Sequence, residues 1–321
     1  MIIEQVPLGR SGVSVTRLMF GGAPIGGLYE PVAPGTAQAT LEAAWAAGIR
    51  AFDTAPHYGV GNSELRIGAF LRGVPRADFT VSTKVGRRLV PTDDDVEGVE
   101  GFYGTPRLSR VRDYSRDGVL ATLSGSLDRL GLDRIDIALI HDPDDHGPQA
   151  LDEALPALAE LRAAGVIGAV GVGMNQTAML DWFIRRADLD CVLIAGRYTL
   201  LDPSAAQTLF PECLRRGVAV LVGGVFNSGV LARPETGATY DYAAAGPDIL
   251  TRVARIRAIC ERHGVPAAAA ALQFSLAHPA VTAAVVGARN PAEITEDAGY
   301  LARPIPAVLL DELAAEGLIP G

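Results

Sequence analysis

The sequence has few cysteines and lacks the closely spaced pairs that bind metals or form disulfide frameworks. Its three cysteines, Cys191, Cys213 and Cys260, are odd in number and far apart, and none belongs to a CxxC pair. Small extracellular disulfide folds and zinc modules depend on such pairs, so neither class fits. We expect three reduced thiols buried in the core and a cytoplasmic protein.

Long apolar runs are absent as well. The longest, Ala267–Leu272 and Val281–Val286, are far shorter than the roughly 20 residues that span a bilayer. The segment Met1–Gln5 has no basic stretch followed by an apolar one, so it does not resemble a secretory signal. We therefore expect no membrane association.

Basic residues are outnumbered by acidic ones. The chain has 28 Lys and Arg against 37 Asp and Glu, a formal net charge of −9. Proteins that bind nucleic acids or anionic membranes carry basic patches, so we expect neither partner and instead a small-molecule substrate. Of the 321 residues, 49% are hydrophobic and 20% are charged, which excludes a disordered chain and a coiled coil. The sequence leaves the oligomeric state open.

Short apolar segments alternate with longer amphipathic ones along nearly the whole chain. The predicted strands are Leu18–Phe20, Ala51–Asp53, Phe79–Lys84, Ile135–His141, Ala169–Gly173, Cys191–Ala195, Val218–Val222 and Thr282–Val286. The predicted helices lie at 35–47, from residue 63 onward, and at 117–130, 149–164, 177–186, 204–215, 247–263 and 291–301. Apolar strands that alternate with helices indicate a parallel sheet, and this many units predict a closed (β/α)8 TIM barrel. We expect a single domain over residues 1–321.

Some segments lie outside these strand–helix units. Ile3–Pro7 and Val13–Val15 predict an N-terminal β-hairpin ahead of the first barrel strand. Extra helices are predicted near the C-terminus at Pro266–Leu276 and Pro306–Glu316. The 28 residues at 86–113 are rich in Asp, Gly, Pro and Arg. They predict a long loop, and loops of this length are usually functional or mobile.

Helix ends carry recognisable signals. Ser63 and Asn175 each stand just ahead of a helical run and are predicted N-caps. Gly48, Gly165 and Gly217 each stand between a helix and a strand. Glycine adopts the left-handed conformation at a helix C-terminus easily, so these positions predict helix ends.

Polar residues follow the predicted strands where a TIM barrel has its active site. Asp53, Lys84 and His141 end three strands, Asn175 follows a fourth, and Tyr58 lies in the loop after Asp53. The carboxyl ends of parallel barrel strands meet at one mouth, so we expect these side chains to converge.

Each of these residues also has a structural interpretation. Asp53 could cap a turn, Lys84 and His141 could be rim residues, and Tyr58 could be an apolar lid. Together they favour chemistry. Tyrosine titrates near 10 when unperturbed, and a neighbouring ammonium favours the phenolate. Such a phenol can exchange a proton with a carbonyl or hydroxyl oxygen.

The order of these residues, with the segment Phe52–Gly59, resembles the aldo-keto reductase superfamily. The resemblance runs from Leu8–Gly12 through Ser126–Asp136 to Val285–Asp297. Segments 113–118, 141–146 and 196–201 are more narrowly similar to aldose 1-dehydrogenases that act on L-fucose and D-threo-aldoses. Pyridoxal 4-dehydrogenases are similar in the same segments.

The resemblance implies a nicotinamide-dependent oxidoreductase of carbohydrate metabolism that oxidises an aldose at C1 to the lactone. Tyr58 would be the general acid/base, Lys84 and Asp53 would tune it, and His141 would orient the substrate. The implied substrate contacts are Tyr58, His141, His57 and Asp142. The implied cofactor contacts are Gly22, Ala23, Asp53, Asn175, Arg197, Phe226, Asn227, Ser228, Gly229, Leu231, Gly287, Arg289, Glu293 and Asp297.

Departures from the family pattern bear on the cofactor. Gly173-Met174 stands where the family has a serine, Ala195-Gly196 where it often has a glutamine, and Gly223 where an aromatic often stacks on nicotinamide. These differences leave the nicotinamide contacts open.

The choice between NAD and NADP depends on the residues expected to meet the 2′-phosphate. Members that use NADP commonly have a lysine and an arginine where this chain has Gly287 and Glu293. A carboxylate repels a phosphate but can accept hydrogen bonds from a ribose diol. Arg289 could reach a 2′-phosphate or stack on adenine. We therefore expect NAD to be preferred and NADP to be tolerated.

Other functions remain open at this point. Lys84 could form a Schiff base in a lyase, and Asp53, His57 and His141 could hold zinc in a hydrolase, although we expect no metal. A pyridoxal 4-dehydrogenase and a general NADPH-dependent carbonyl reductase are alternatives within the same class. Some superfamily barrels are channel-associated subunits, but the full set of proton-transfer residues argues against lost catalysis.

Overall fold

Parallel strands that close into a barrel form the centre of the molecule. The structure, a computed structural model, describes residues 2–233, 238–241 and 243–320. The strands in these ranges are β1 Gln5–Pro7, β2 Ser14–Thr16, β3 Leu18–Gly21, β4 Ala51–Asp53, β5 Thr80–Val85, β6 Arg87–Pro91, β7 Leu108–Arg112, β8 Ile135–His141, β9 Ile167–Met174, β10 Cys191–Ala195, β11 Ala219–Gly223, β12 Thr239–Tyr240, β13 Ala243–Ala244 and β14 Val281–Gly287. The α-helices are α1 Pro34–Ala46, α2 Asn62–Leu71, α3 Arg116–Leu130, α4 Gly147–Gln149, α5 Leu155–Ala163, α6 Thr177–Arg186, α7 Ala205–Arg216, α8 Pro247–Arg262, α9 Ala267–Ala277, α10 Pro291–Leu301 and α11 Ala307–Ala315.

The order of strands around the barrel follows the chain. β3, β4, β5, β8, β9, β10, β11 and β14 pair side by side in that order. β14 pairs in parallel with β3 and closes the ring, with Gly287 opposite Gly21. The prediction of a closed (β/α)8 barrel is therefore confirmed. The bounds of the strands differ from the predicted ones by a residue or two, as is usual for element ends.

Barrel strands are buried on both faces, which explains why most of them appear in the sequence as short apolar runs rather than as alternating patterns. Side chains on one face, such as Met19, Leu139 and Leu193, form a cluster inside the barrel. Their neighbours Phe20 and Ile140 belong to the larger cluster shared with the surrounding helices. This double burial is typical of parallel sheets covered by helices.

The N-terminal hairpin covers the end of the barrel at which the strands begin. β1 pairs antiparallel with β2, and Leu8 and Val15 belong to the same buried cluster as the inner barrel side chains. The predicted hairpin is therefore confirmed. The opposite end, where the strands finish, is left to the loops that follow them, and TIM barrels carry their active sites there.

The segment after β5 is not the continuous loop that its composition predicts. β6 and β7 form an antiparallel hairpin inside it, with Arg87 opposite Arg112 and Pro91 opposite Leu108. The prediction was wrong because most residues of this short hairpin are at least partly exposed. Polar residues and proline are tolerated in such strands, so their composition resembles that of a loop.

The predicted N-cap at Ser63 is also wrong. Helix α2 begins one residue earlier, behind Gly61, whose φ of 91° lies in the left-handed region. The Ser63 hydroxyl is instead 2.7 Å from the hydroxyl of Thr54. The serine therefore ties the helix to the end of strand β4 rather than capping it.

Asn175 is not an N-cap either. Helix α6 follows Gln176, and no side-chain hydrogen bond caps its start. The glycine signals were more reliable, because Gly48, Gly165 and Gly217 all have positive φ between a helix and a strand. Asn175 is thus left at the barrel mouth without a capping role.

The three cysteines are buried and unpaired, as the sequence predicts. Burial raises the pKa of the Cys213 thiol to about 12 and that of Cys260 to about 11. Among the described helices, none combines the length and the apolar character needed to cross a bilayer.

Candidate active site

The ends of neighbouring barrel strands bring the predicted proton-transfer residues together. Asp53 ends β4, Lys84 is the last residue but one of β5, and His141 ends β8. All three are buried. Tyr58 follows β4 in a turn in which its N–H donates to the carbonyl of Ala55. The four side chains therefore meet at the mouth of the barrel.

Lys84 and Asp53 form a buried ion pair. Lys84 Nζ is 2.7 Å from Asp53 Oδ2, and the two side chains are 1% and 3% exposed. The ammonium also donates to the Thr54 carbonyl at 2.9 Å, and Asp53 Oδ1 accepts from the Ser82 hydroxyl at 2.8 Å. Burial favours the neutral amine, but the charge of Asp53 and hydrogen bonds with Asp53 and Tyr58 outweigh it and raise the pKa of Lys84. Lys84 is thus held as a cation.

Tyr58 lies directly against this pair. Lys84 Nζ is 4.5 Å from the centroid of the Tyr58 ring. The Phe102 ring stacks on the phenol with 6.2 Å between centroids, and the His141 ring meets it nearly perpendicularly at 5.8 Å. A phenol held beside a cation and an imidazole can exchange a proton with an oxygen placed in the mouth.

His141 is an uncharged member of the site. Burial, then the positive charges of Arg87 and Lys84, holds the pKa of His141 well below its ordinary value. Its Nδ1 is buried and has no hydrogen-bond partner among the residues that the structure describes. Buried polar atoms without partners are rare and need an explanation, so this nitrogen is a candidate to bind a substrate oxygen.

The residue after His141 has an unusual backbone conformation. Asp142 has a φ of 43°, which is uncommon for a residue other than glycine. The Tyr114 hydroxyl lies 2.6 Å from the His141 carbonyl and 2.7 Å from that of Asp142. Gly86 makes room for this tyrosine, since a Cβ there would stand 2.3 Å from the ring. The Asp142 carboxylate accepts from Arg87 at 2.6 Å, so the turn is held from two sides.

The hairpin segment contributes site residues that reasoning from the sequence missed. Arg87 and Phe102 are buried, and the Arg110 side chain is only 7% exposed. Glu100 lies between the two arginines, 3.4 Å from Arg87 and 3.3 Å from Arg110. No local pattern marked these residues, because which side of a short hairpin faces the barrel depends on tertiary packing.

His57, a predicted substrate contact, is enclosed by this segment. Arg87 Nη1 lies 3.2 Å from His57 Nδ1, and Arg110 donates to the His57 carbonyl at 3.2 Å. The Phe102 ring meets the imidazole edge-on at 5.1 Å. Burial first, then the charges of Arg87 and Arg110, lowers the pKa of His57 to about 2. The imidazole is therefore neutral, and its 3.4 Å separation from Glu100 is not an ion pair.

Three residues predicted to contact a cofactor follow barrel strands at the same mouth. The Gly22 N–H donates to the Asp53 carbonyl at 2.8 Å, and Ala23 precedes a short 3-10 turn. Asn175 follows β9, whose Gly173 lies opposite His141. Gly22 and Asn175 follow β3 and β9, which lie on opposite sides of the ring, so a ligand that contacts both must lie across the mouth.

The loop after β11 contains a run of left-handed residues. Asn227, Ser228 and Gly229 have φ values of 47°, 56° and 95°. The Phe226 carbonyl accepts from the N–H groups of Gly229 and Leu231, which fixes the turn. Asn227 Oδ1 is buried and, within the described ranges, unpartnered. A strained turn that presents an unused acceptor is a candidate ligand contact.

Glu293, on which the predicted preference for NAD depends, accepts hydrogen bonds from several donors. It accepts from the Arg289 N–H at 2.8 Å and from Asn290 Nδ2 at 3.0 Å, and it pairs with Arg233. Asn290 Oδ1 in turn accepts from the Glu293 N–H and caps the start of α10. Arg289 also reaches Glu30 at 2.9 Å. Glu293 is therefore paired with both Arg233 and Arg289.

Gly287 and Asp297 lie on either side of Glu293 in the sequence and were also predicted to contact the cofactor. A Cβ on Gly287 would stand 2.6 Å from the ring of Pro24, so a lysine cannot replace this glycine without a shift of the backbone. Asp297 is buried one turn beyond Glu293 on α10. Burial, then the charges of Glu293 and Glu296, raises the pKa of Asp297 to about 7.

Arg197, another predicted cofactor contact, is held by carboxylates. Its Nη1 is 2.9 Å from Asp241 Oδ1 and 3.7 Å from Asp202 Oδ2. The contact with Asp241 joins the loop after β10 to the segment after β12.

The amino-acid composition also distinguishes Lys84 from the other basic residues. Lys84 is the only lysine in the chain, and arginine makes up the rest of the 28 basic residues. Arginine and lysine are not interchangeable, because a guanidinium is planar and larger than an ammonium. The single lysine, in a chain whose other basic residues are arginines, indicates that position 84 requires a compact cation.

Fold and site together define a barrel oxidoreductase that acts on alcohol or carbonyl groups. The chain belongs to the Aldo/keto reductase family, whose model matches residues 17–315. It is 43% identical over 317 residues to a D-threo-aldose 1-dehydrogenase of a Pseudomonas species, covering 97% of this chain and 96% of that protein. It is 40% identical over 336 residues to a pyridoxal 4-dehydrogenase of Microbacterium luteolum, covering 98% of each. An aldo-keto reductase of Bacillus halodurans, solved in its holo form, has the same fold, with a TM-score of 0.80 at 24% identity over 98% of this chain and 96% of that one.

Proposed function

We propose that the protein oxidises an aldose of the D-threo or L-fucose type at C1, giving the lactone and a reduced nicotinamide cofactor. The observation that carries the chemistry is the buried Lys84–Asp53 pair against Tyr58. The observation that supports the substrate class is the 43% identity to a D-threo-aldose 1-dehydrogenase over nearly the whole of both chains.

Tyr58 is assigned the proton transfer in this proposal. The anomeric hydroxyl of the sugar donates its proton to the phenolic oxygen of Tyr58. Lys84 stabilises the phenolate that accepts it, and Asp53 fixes the ammonium in place at 2.7 Å. In the reverse direction, the same phenol donates a proton to a carbonyl oxygen.

Polar side chains around Tyr58 suit a sugar with several hydroxyl groups. His141 Nδ1 has no hydrogen-bond partner among the described residues, and His57 lies beside the phenol with 5.9 Å between ring centroids. Asp142 and Glu100 bring carboxylates to the same wall. Both imidazoles are neutral, so they can orient hydroxyl groups without adding charge.

The residues at the rim fit a nicotinamide dinucleotide. Asn227 Oδ1 is a buried acceptor with no partner in the described part of the chain, and the left-handed turn around it is fixed by backbone hydrogen bonds. When bound, the nicotinamide supplies the hydride acceptor for oxidation. Gly22, Ala23 and Asn175 would surround its ring, and the 226–231 turn would lie along the dinucleotide, where Asn227 Oδ1 would accept from a ribose hydroxyl.

We also propose that NAD is preferred. Glu293 engages both Arg233 and Arg289, so a 2′-phosphate would have to displace this carboxylate before it could pair with them. A 2′-hydroxyl carries no charge and makes no such demand. NADP would therefore bind more weakly but not be excluded.

Alternative functions are less consistent with the site. A Schiff-base lysine must lose its proton, whereas Lys84 is held as an ammonium by Asp53. A zinc hydrolase would need Asp53 as a ligand, but its two carboxylate oxygens already accept from Lys84 and Ser82. Among the residues that the structure describes, no group of three or more His, Cys, Asp or Glu could hold a metal ion.

Oxidation of pyridoxal is the second candidate, because the pyridoxal 4-dehydrogenase relative is 40% identical over 98% of both chains. Steady-state kinetics with L-fucose, other D-threo-aldoses, L-galactose and pyridoxal, each with NAD and NADP, distinguishes the two. The proposal predicts the highest kcat/KM with an aldose and NAD. Oxidation of pyridoxal without oxidation of any aldose would replace it with the second candidate.

A further inference from the structure

A contact with Arg87 determines which of the two ring nitrogens of His57 carries the proton. Arg87 Nη1 lies 3.2 Å from His57 Nδ1 in hydrogen-bond geometry. A guanidinium has five N–H donors and no acceptor, so Nδ1 must be the acceptor in this contact. A neutral imidazole has one N–H, which this contact places on Nε2.

Glu100 is the group that would favour the opposite tautomer. Its Oε2 lies 3.4 Å from His57 Nδ1, and a proton on Nδ1 would convert this contact into a hydrogen bond. Arg87 is closer to the same nitrogen, and Arg87 and Arg110 both engage the Glu100 carboxylate. The carboxylate is therefore already compensated, whereas a proton on Nδ1 would face the guanidinium directly.

The surroundings of His57 also oppose the doubly protonated form. The imidazole is enclosed with Arg87, Arg110, Lys84 and Arg112, and burial adds to their effect. Glu100 and Asp142 are the nearby carboxylates, and each is paired with Arg87. The imidazole accordingly remains neutral throughout the ordinary working range of an enzyme.

We propose that Arg87 is a positioning residue that holds His57 as the neutral Nε2–H tautomer, so that His57 offers a hydrogen-bond donor to a substrate oxygen beside Tyr58. The His57 ring lies next to the Tyr58 ring and 5.4 Å from the His141 ring, which places it at the reacting oxygen's side of the mouth. The role for a polyol substrate rests on the proposed function, whereas the tautomer does not.

Arg87 has a second contact that suits this role. Its Nη2 donates to Asp142 at 2.6 Å, and Asp142 follows His141 in the left-handed turn. One guanidinium thus spans the loop after β4 and the end of β8. Arg87→Lys keeps the charge, but a lysine cannot reproduce the planar fork that makes both contacts.

Long-range 1H–15N spectra of the 15N-histidine-labelled full chain test the tautomer directly. The chain has five histidines, so a His57→Asn variant assigns the relevant signal. We expect the Nε2–H pattern for His57 in the unaltered protein from pH 5 to pH 9. An Nδ1–H pattern, or titration of His57 within this range, would overturn the proposal without reference to any substrate.

Variants then separate Arg87 from its neighbours. Arg87→Met should produce a mixture of His57 tautomers, and Glu100→Gln should leave the Nε2–H form intact. Arg112→Met is the control and should keep the Nε2–H form, because it removes another positive charge near the imidazole without removing a contact to an imidazole nitrogen or to Glu100. A pure Nε2–H signal in Arg87→Met, or its loss in Glu100→Gln, would contradict the role of Arg87.

Kinetics with whichever substrate the protein oxidises give the second measurement. Arg87→Met should raise KM about tenfold, the effect of one lost hydrogen bond, with a smaller change in kcat. Arg87→Lys should recover part of the loss, and Arg88→Met, on the exposed face of the same strand, should change neither parameter. Equal effects of Arg87→Met and Arg88→Met would show that the hairpin acts only as a structural support.

Discussion

Removal of the Lys84 ammonium should leave a charge buried in the barrel. Lys84→Met leaves the Asp53 carboxylate, only 3% exposed, with the Ser82 hydroxyl as its remaining side-chain donor. Two unit charges at the distance of this pair attract each other by about 6 kcal/mol at an effective dielectric constant of about 20. Breaking a buried pair by removing one partner usually costs about 3–5 kcal/mol. We expect Lys84→Met and Asp53→Asn each to lose about 3–5 kcal/mol of the free energy of unfolding.

The double variant should recover much of this loss. Lys84→Met with Asp53→Asn leaves neither charge in the core, so the combined effect should fall short of the sum of the single effects by at least about 2 kcal/mol. Urea unfolding followed by the fluorescence of Trp45 and Trp182 measures all four proteins. Turnover should stay about 10²–10⁴-fold low in both variants that lack Lys84, because Tyr58 has lost its neighbouring cation.

An exposed pair of the same length provides the control. Arg116 and Glu160 are also 2.7 Å apart, but their side chains are 51% and 62% exposed. The cycle built from Arg116→Met and Glu160→Gln should give a coupling of at most about 1 kcal/mol. A coupling below about 0.5 kcal/mol in the Lys84–Asp53 cycle would show that the two buried charges do not stabilise each other.

Further predictions concern the proton donor, the cofactor and the pH dependence of stability. Tyr58→Phe should lower kcat by about 10²–10⁴-fold while the Kd for the cofactor, measured by fluorescence titration, stays unchanged; near-native turnover would rule out its role. Glu293→Gln should release Arg233 and Arg289 and raise the ratio of kcat/KM for NADP to that for NAD about tenfold, the effect of one added charge contact. The pKa of Asp297 is raised to about 7 in the folded protein, above its unfolded value, so its contribution to stability is complete at acid pH and is lost as pH rises through 7. Asp297→Asn should therefore gain in urea midpoint over the unaltered protein at pH 8 and not at pH 4, and an equal gap at both pH values would contradict this.

The barrel could be predicted because its strands are uniform and locally encoded. Runs such as Ile137–Ile140 are buried on both faces, so their residues are apolar without alternation. The polar residues that end them stand out for the same reason. Once eight such strands are placed in a ring, the convergence of Asp53, Lys84 and His141 follows from the fold.

The hairpin of residues 87–112 could not be predicted in the same way. Arg87 and Arg110 lie at the site, whereas the side chain of Arg88 is exposed to solvent. All three are arginines, so residue type does not distinguish them. Which of them is buried depends on how the hairpin packs over the loop that carries His57. Local composition has no information on that packing.

The environment of Glu293 was predictable in part. Asn290 precedes Glu293 by three residues, which is the spacing of an N-cap and its N3 residue, so the sequence already indicates that Glu293 lies in the capped first turn of its own helix. The pairing with Arg233 was not predictable, because that residue lies in a different loop and comes close only in the folded barrel.

The single lysine determines how this protein responds to amine chemistry. Lys84 is 1% exposed, so succinimidyl esters and aldehydes find no side-chain amine on the folded surface. Acetylation or ubiquitin attachment at a lysine side chain has Lys84 as its sole acceptor in this sequence, and either modification would remove the charge that faces Tyr58. Unfolding exposes this amine, and the extent of side-chain amine labelling therefore counts the molecules that have lost their active site.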